Sequence, residues 1–245
     1  TALLVVFTES KGINNASPSQ HFDSLRVKAQ KLINTPGEIV YLDSMLHLAQ
    51  AMDSTRLACQ TMTYMARNYY NRMNADSLMF WGEKAVALSL EHEFFPIYFD
   101  AFTLICSWEL YEKDYDSALD KANQLYQKAK DLNNTDGMIA SYETIGLIYM
   151  EPFRYVEAIK SFKEGLSLQK QQEKPRYEFQ FQFLSYIIES YLKLKDYLHT
   201  EETLTEAYAL VEECKSNVTA FPVERCLWLL NCYHAEMYVL QKMPQ

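Results

Sequence analysis

The side chains able to do chemistry are scattered along this chain. Its five histidines, His21, His47, His92, His199 and His234, lie far apart. Cys226, Cys232 and His234 are near neighbours and could be tried as metal ligands. On one helix, however, the second and third fall about 240° and 80° around the axis from the first, so they share no face. Glu201-Glu202 and Glu212-Glu213 have the residue type for acid–base work. Adjacent carboxylates in polar helical runs nevertheless read as solvated faces. There is no glycine-rich phosphate loop, no H-E-x-x-H and no G-x-S-x-G. The five cysteines are odd in number and irregular in spacing, which reads as small buried residues and not as a disulfide framework. The expectation is a non-enzyme with no cofactor and no metal.

Composition limits what positions these residues. Only 6 glycines and 7 prolines occur in 245 residues, too few for the turns of an all-β fold. Apolar residues make up 49%, with 18 Tyr, 13 Phe and 3 Trp, so a sizeable core is available. The net charge of −9 and the absence of a basic cluster argue against nucleic acid and anionic membrane surfaces as partners. No apolar run reaches the length of a membrane span, so no membrane insertion is expected. Residues 1–18 begin apolar and turn polar. They read as a leader or signal remnant, pointing to an extracytoplasmic (periplasmic) location, or as a short helix of a cytoplasmic protein.

The stronger signal is an internal repeat. Lys113-Asp114-Tyr115, Phe153-Arg154-Tyr155 and Lys195-Asp196-Tyr197 recur at intervals of about 40 residues, and Arg72-Met73-Asn74-Ala75-Asp76 holds the equivalent place one period earlier. Each unit reads as an apolar helical run, a short polar turn, a second amphipathic run and a polar connection. Met138 to Leu168 is the clearest. Tyr142, Ile145, Gly146 and Tyr149 mark one face of its first helix. Gly146 costs about 1 kcal/mol against alanine inside a helix, which close approach by a neighbouring helix can offset. Phe179, Phe181 and Phe183 alternate like a strand, but a lone strand has no pairing partner and the run continues helically, so it is assigned to a helix.

Ile145-Gly146-x-x-Tyr149, followed by Tyr155-x-x-Ala158-x-x-x-Phe162-x-x-Gly165-Leu166, resembles the tetratricopeptide-repeat signature. Other units match in part; Glu109 and Thr200 replace the expected tyrosine and alanine. The resemblance implies an all-α, right-handed α-α superhelix, a solenoid of paired helices. The period of about 40 against the family's usual 34 suggests longer second helices. The expected organisation is a degenerate helix pair over 19–54, four repeats over 55–217, and over 218–245 the first helix of a further, truncated repeat. A further domain after residue 245 is an open expectation.

In that family the first helix of each pair lines a concave groove. By register, the groove positions are Gln60, Thr63, Arg67, Tyr70 and Asn71 in the first full repeat. The second gives Asp100, Thr103, Ser107, Leu110 and Tyr111. The third gives Ala140, Glu143, Leu147, Met150 and Glu151, and the fourth Gln182, Ser185, Glu189, Leu192 and Lys193. The binding candidates among them are Gln60, Arg67, Tyr70, Asn71, Asp100, Thr103, Tyr111, Glu143, Glu151, Glu189 and Lys193. This polar, aromatic and acidic mixture suits a protein or peptide segment held along the groove. The style is similar to the tetratricopeptide regions of bacterial sensor and regulatory proteins. A free-standing scaffold is the alternative.

Overall fold

A computed structural model describes residues 17–217 and 221–242. The apolar leader therefore lies outside the described residues, apart from its last two positions. The described residues form eleven helices and no strand. They are α1 (Pro18–Lys31), α2 (Pro36–Ala51), α3 (Thr55–Asn71), α4 (Ala75–Glu91), α5 (Phe95–Tyr111) and α6 (Tyr115–Asp131), then α7 (Thr135–Met150), α8 (Tyr155–Lys170), α9 (Tyr177–Leu194), α10 (Tyr197–Asn217) and α11 (Val223–Lys242). The alternating phenylalanines lie on α9, with Phe181 and Phe183 buried.

The connections explain the period. A non-glycine residue in the left-handed region recurs at every twentieth position: Asp53, Met73, Glu93, Lys113, Asn133 and Phe153. The amide of the residue after it returns to a carbonyl five residues back, as in Asn74 to Tyr69 (3.0 Å), Asp114 to Glu109 (3.0 Å) and Asn134 to Ala129 (2.8 Å). This satisfies the carbonyls a helix end leaves orphaned. In several connections that same residue then caps the next helix. Asn74 accepts from the Ser77 amide, Asp114 from Ser117, and Asn134 from Gly137 at 2.7 Å. The left-handed residue and the one after it thus end one helix and start another within a three-residue connection, or a four-residue one between α7 and α8.

Helices α3, α4, α5 and α6 are 17 residues each, and α7 and α8 are 16 each. From α3 to α8 the long period is therefore shared equally by both helices of a pair, correcting the expectation of longer second helices there; in the α9–α10 pair the second helix is the longer, 21 residues against 18. Aspartate–serine pairs also divide. Asp76-Ser77 and Asp116-Ser117 open α4 and α6, whereas Asp23-Ser24 and Asp43-Ser44 lie inside α1 and α2.

Left-handed backbone costs an L-residue roughly 1–2 kcal/mol, least for asparagine and aspartate. Phe153 adopts φ 62° with its side chain 77% exposed, so little packing compensates. Phe153→Gly is expected to stabilise the chain by about 1 kcal/mol. Denaturant titration checks this; an unchanged or lower midpoint would mean the ring does more at this turn than its exposure indicates.

Two units divide the chain between Leu88 and Ser89. In the first, the core joins Phe22, Leu25 and Ala29 of α1 to Leu42, Met45 and Ala49 of α2 and Met65 of α3. In the second, α5 to α11 pack against their neighbours in sequence. The core there is built around Phe162, Phe183, Leu184, Ile187, Ile188 and Leu204. Its fit depends on rings seated on glycines. A Cβ on Gly146 would meet Phe162 at 2.3 Å, one on Gly165 would meet Phe183 at 2.6 Å, and one on Gly137 would meet Phe99 at 2.4 Å. The close approach expected at Gly146 is therefore made by an aromatic ring of the paired helix. No described helix is long and apolar enough to cross a membrane.

Candidate functional site

In the second unit two cavities open among the odd-numbered helices. One, of about 310 Å³, is lined by Phe99, Asp100 and Thr103 of α5, Gly137 and Glu143 of α7, and Phe179 at the start of α9, among others. The other, of about 370 Å³, lies between α9 and α11 and is walled by Phe181, Gln182, Tyr186, Phe221 and Tyr233. No residue of α6, α8 or α10 lines either cavity. Both cavities are thus lined from the odd-numbered helices and the segments that lead into them.

The cavities meet at one polar link. Gln182 Nε2 donates to Glu143 Oε1 at 2.7 Å and to the Tyr186 hydroxyl at 2.9 Å. Burial raises the pKa of Glu143, and the Gln182 hydrogen bond only partly offsets this. Burial also raises Tyr186, and it pushes Tyr233 up to about 12, helped by the negative charges of Glu189 and Glu236. Both phenols keep their protons at neutral pH and can donate to a ligand.

A raised folded-state pKa means the native state holds a proton that the unfolded chain releases. Its stabilising contribution is complete below the ordinary value of 4.5 and is lost as pH rises through the elevated value. Glu143→Gln keeps an acceptor for Gln182 and removes the desolvated charge. The variant is expected to melt above the wild type at neutral pH, with the gap closing as pH falls toward 4.5. Thermal melts across that range check this; a constant gap would show that charge burial is not the cause.

The predicted candidates fall in two sets. Asp100, Thr103 and Glu143 line the first cavity of the second unit together. Tyr111 is 55% exposed, its ring 5.2 Å from that of Trp108. Glu151 is exposed at the end of α7, and Glu189 is half-buried on α9. Lys193 lies 4.0 Å from Glu236 of α11. In the first unit, Arg67 lines a cavity among α1, α2 and α3. Gln60 donates to the Tyr64 hydroxyl at 2.9 Å, Asn71 bonds Asn34, and Tyr70 is half-buried.

Three of the groove positions named by register are corrected. Thr63 is buried and bonds the Cys59 carbonyl, and Leu192 is 2% exposed. Ser185 lines the α9–α11 cavity but spends its hydroxyl on the Phe181 carbonyl. Arg176, Asp136, Tyr186, Phe221 and Tyr233 were missed. Polar pairing one repeat apart is the signal that could have found some of them: Arg176 reaches Asp136 across 40 positions at 2.9 Å, and Gln182 reaches Glu143 across 39.

The residues first weighed for chemistry do not converge. Cys226 is buried and Cys232 exposed. His234 stacks on Tyr238 at 4.8 Å. Among the described residues no three His, Cys, Asp or Glu side chains are grouped to hold a metal. His199 bonds Asp196 at 2.7 Å, but Asp196 also receives the His199 amide, so the pair serves the first turn of α10.

Repeated helix pairs with short, hydrogen-bonded connections define a tetratricopeptide-like helical-repeat fold. Solved structures agree. Nearly identical repeats from a Podosopora anserina protein described as a kinesin light chain superpose with a TM-score of 0.56 at 12% identity, covering 83% of this chain and 99% of that one. A point variant of that protein gives a TM-score of 0.58, also at 12% identity, covering 82% and 98%. NprR, solved in complex with its cognate peptide NprX, gives 0.57 at 15% identity, covering 92% of this chain and 60% of that one. No family model matches the chain, and no curated protein matches it.

Proposed function

We propose that this chain is a protein-binding helical-repeat array and not an enzyme, with the α5, α7, α9 and α11 face as its working surface. Its partner is an extended peptide or protein segment. The observation that carries the reading is the pair of adjoining cavities joined by the Glu143–Gln182–Tyr186 link. Asp100 and Glu143 in one cavity suit a lysine or arginine of the ligand. Phe181, Phe221 and Tyr233 in the other suit an apolar or aromatic side chain. Tyr111, Glu151, Glu189 and Lys193 extend the polar margin. The likeness to NprR, solved in complex with its cognate peptide, supports the further reading that the array is the sensing or interaction region of a larger regulatory protein.

Selection from a displayed peptide library tests the surface. Recovered peptides should combine a basic residue with a nearby aromatic or aliphatic one. Their affinity should weaken with salt, modestly, because Arg176 and Lys193 interrupt the acidic field. A variant carrying Asp100→Asn, Tyr111→Ala and Glu143→Gln should bind them at least about tenfold more weakly, as expected when charge-assisted and aromatic anchors are lost. Equal binding by the variant would remove this face as the working surface.

A further inference from the structure

Helix α11 carries two apolar stripes, and the core uses only one of them. Cys226, Leu230 and Met237 are buried in the second unit, where α11 packs on α9 and α10. Trp228, Cys232, Ala235 and Val239 lie about 180–240° around the helix from Cys226, on the opposite side. All four are exposed, Trp228 at 66% and Val239 at 60%. None of them lines the α9–α11 cavity, so the peptide reading does not use them. Apolar side chains gathered on one exposed stripe mark an interaction surface.

The stripe itself says what covers it. Its residues step by four, three and four, the alternation by which one helix packs lengthwise on another. The stripe also reads the same from either end. Bulky Trp228 and Val239 flank small Cys232 and Ala235, symmetrically about the point between Tyr233 and His234. Laid antiparallel on a copy of itself, it sets Trp228 against Val239 and Cys232 against Ala235, and the small central residues let the two helices approach closely. Charge agrees with this direction. Glu224 and Lys242 are exposed at opposite ends of α11, both on the same flank of the stripe. Antiparallel pairing brings Glu224 of each copy level with Lys242 of the other, to within about 1.5 Å along the axis. Arg225 lies on the other flank, away from that lysine. Parallel pairing would instead set like charge beside like charge at both ends.

We propose that this stripe is a homodimer interface, an antiparallel α11–α11 contact between two copies of the chain related by a two-fold axis. Trp228 of each copy rests on Val239 of the other, and two Glu224–Lys242 pairs close the ends. A contact built mainly from one helix is small for a specific interface, so the dimer forms in the micromolar range. The α9–α11 cavity is lined from the flank of α11 that carries Cys226, Leu229 and Tyr233, so the two surfaces are separate.

Sedimentation equilibrium on the full chain across a concentration series is the test. The expected result is reversible dimerisation, which Trp228→Asp weakens at least about tenfold. Trp228 is exposed, so that variant should keep its helicity by circular dichroism. Glu224→Lys should also weaken the dimer, and Glu224→Lys combined with Lys242→Glu should restore it. A short bismaleimide should link two copies through Cys232, the one exposed cysteine among the described residues, and Cys232→Ser should abolish the link. The Asp100, Tyr111 and Glu143 changes should leave dimerisation intact, so failure of the peptide reading is separable from failure of this one. A chain that stays monomeric up to roughly 300 µM overturns the proposal and hands the stripe to another partner. A dimer that a folded Trp228→Asp variant leaves unchanged overturns it too. Failure of the charge exchange to restore affinity overturns the antiparallel arrangement.

Discussion

Gly146→Leu is expected to be among the most damaging single changes in the second unit. On helix propensity alone it should help, since leucine is better than glycine inside a helix by roughly 0.8 kcal/mol. Packing decides the outcome. Even a Cβ at this position would lie 2.3 Å from Phe162 Cε1, and Phe162 is 0% exposed. The ring cannot swing into solvent, because Phe183 and Tyr186 lie 6.3 Å and 4.9 Å away, centroid to centroid. Overpacking of this kind costs about 1–3 kcal/mol and sometimes more, which outweighs the propensity gain. Gly146→Ala should already destabilise, unlike an alanine in an exposed helix. Urea titration monitored by circular dichroism checks both; an alanine variant as stable as the wild type would mean the α7–α8 pair can spread without loss.

Removing the ring should cost more. Phe162→Ala takes away a fully buried aromatic that fills the space over Gly146 and stacks on Tyr186 with an interplanar angle of 27°. Truncations of buried phenylalanine cost about 3–5 kcal/mol through lost transfer energy and residual cavity. The two changes are also coupled. In the double variant, leucine enters the volume that the ring vacates, so its destabilisation should fall short of the sum by at least about 0.5 kcal/mol. Strict additivity would show that Gly146 and Phe162 do not pack against one another.

Tyr186 connects this core to the candidate site. One side of its ring faces Phe162, while its hydroxyl accepts from Gln182 at the rim of the α9–α11 cavity. Stability and site geometry therefore share a residue. Phe162→Ala should loosen ligand binding in the second unit even in the fraction of molecules that remain folded.

The helical repeat was legible because it depends on local chemistry. Asp114-Tyr115 and Arg154-Tyr155 mark helix starts, and the apolar spacing around Ile145 and Tyr149 marks a face. The split of the 40-residue period was not legible from the aromatic landmarks, because Tyr115, Tyr155 and Tyr197 mark only every second turn. Left-handed residues at Met73, Glu93 and Lys113 carry the missing beat, but their side chains do not announce it. Candidate site residues were legible to the extent that helical phase fixes a face, as with Asp100, Thr103 and Glu143. Phase cannot say which polar side chain turns back on its own backbone, as Thr63 and Ser185 do. Nor can it foresee Phe221, which reaches the site from just before α11.

The short connections also limit how this chain can change its length. In each, one residue supplies the left-handed corner, and the next carries a bond to the helix behind and in several cases a cap for the helix ahead. Inserting a single residue within a helix turns everything downstream by about 100°, carrying its apolar face away from its neighbour. Inserting one in the corner leaves the backward bond and the cap on different residues. Neither edit is absorbed locally, as it would be in a long surface loop. Gain or loss of a whole twenty-residue step preserves corner, cap and phase together, although it exchanges first helices for second ones. A forty-residue step preserves that alternation as well. The chain is thus built to vary by duplication or deletion of entire pairs, and frame-preserving indels of one to a few residues should be rare in relatives between residues 53 and 154.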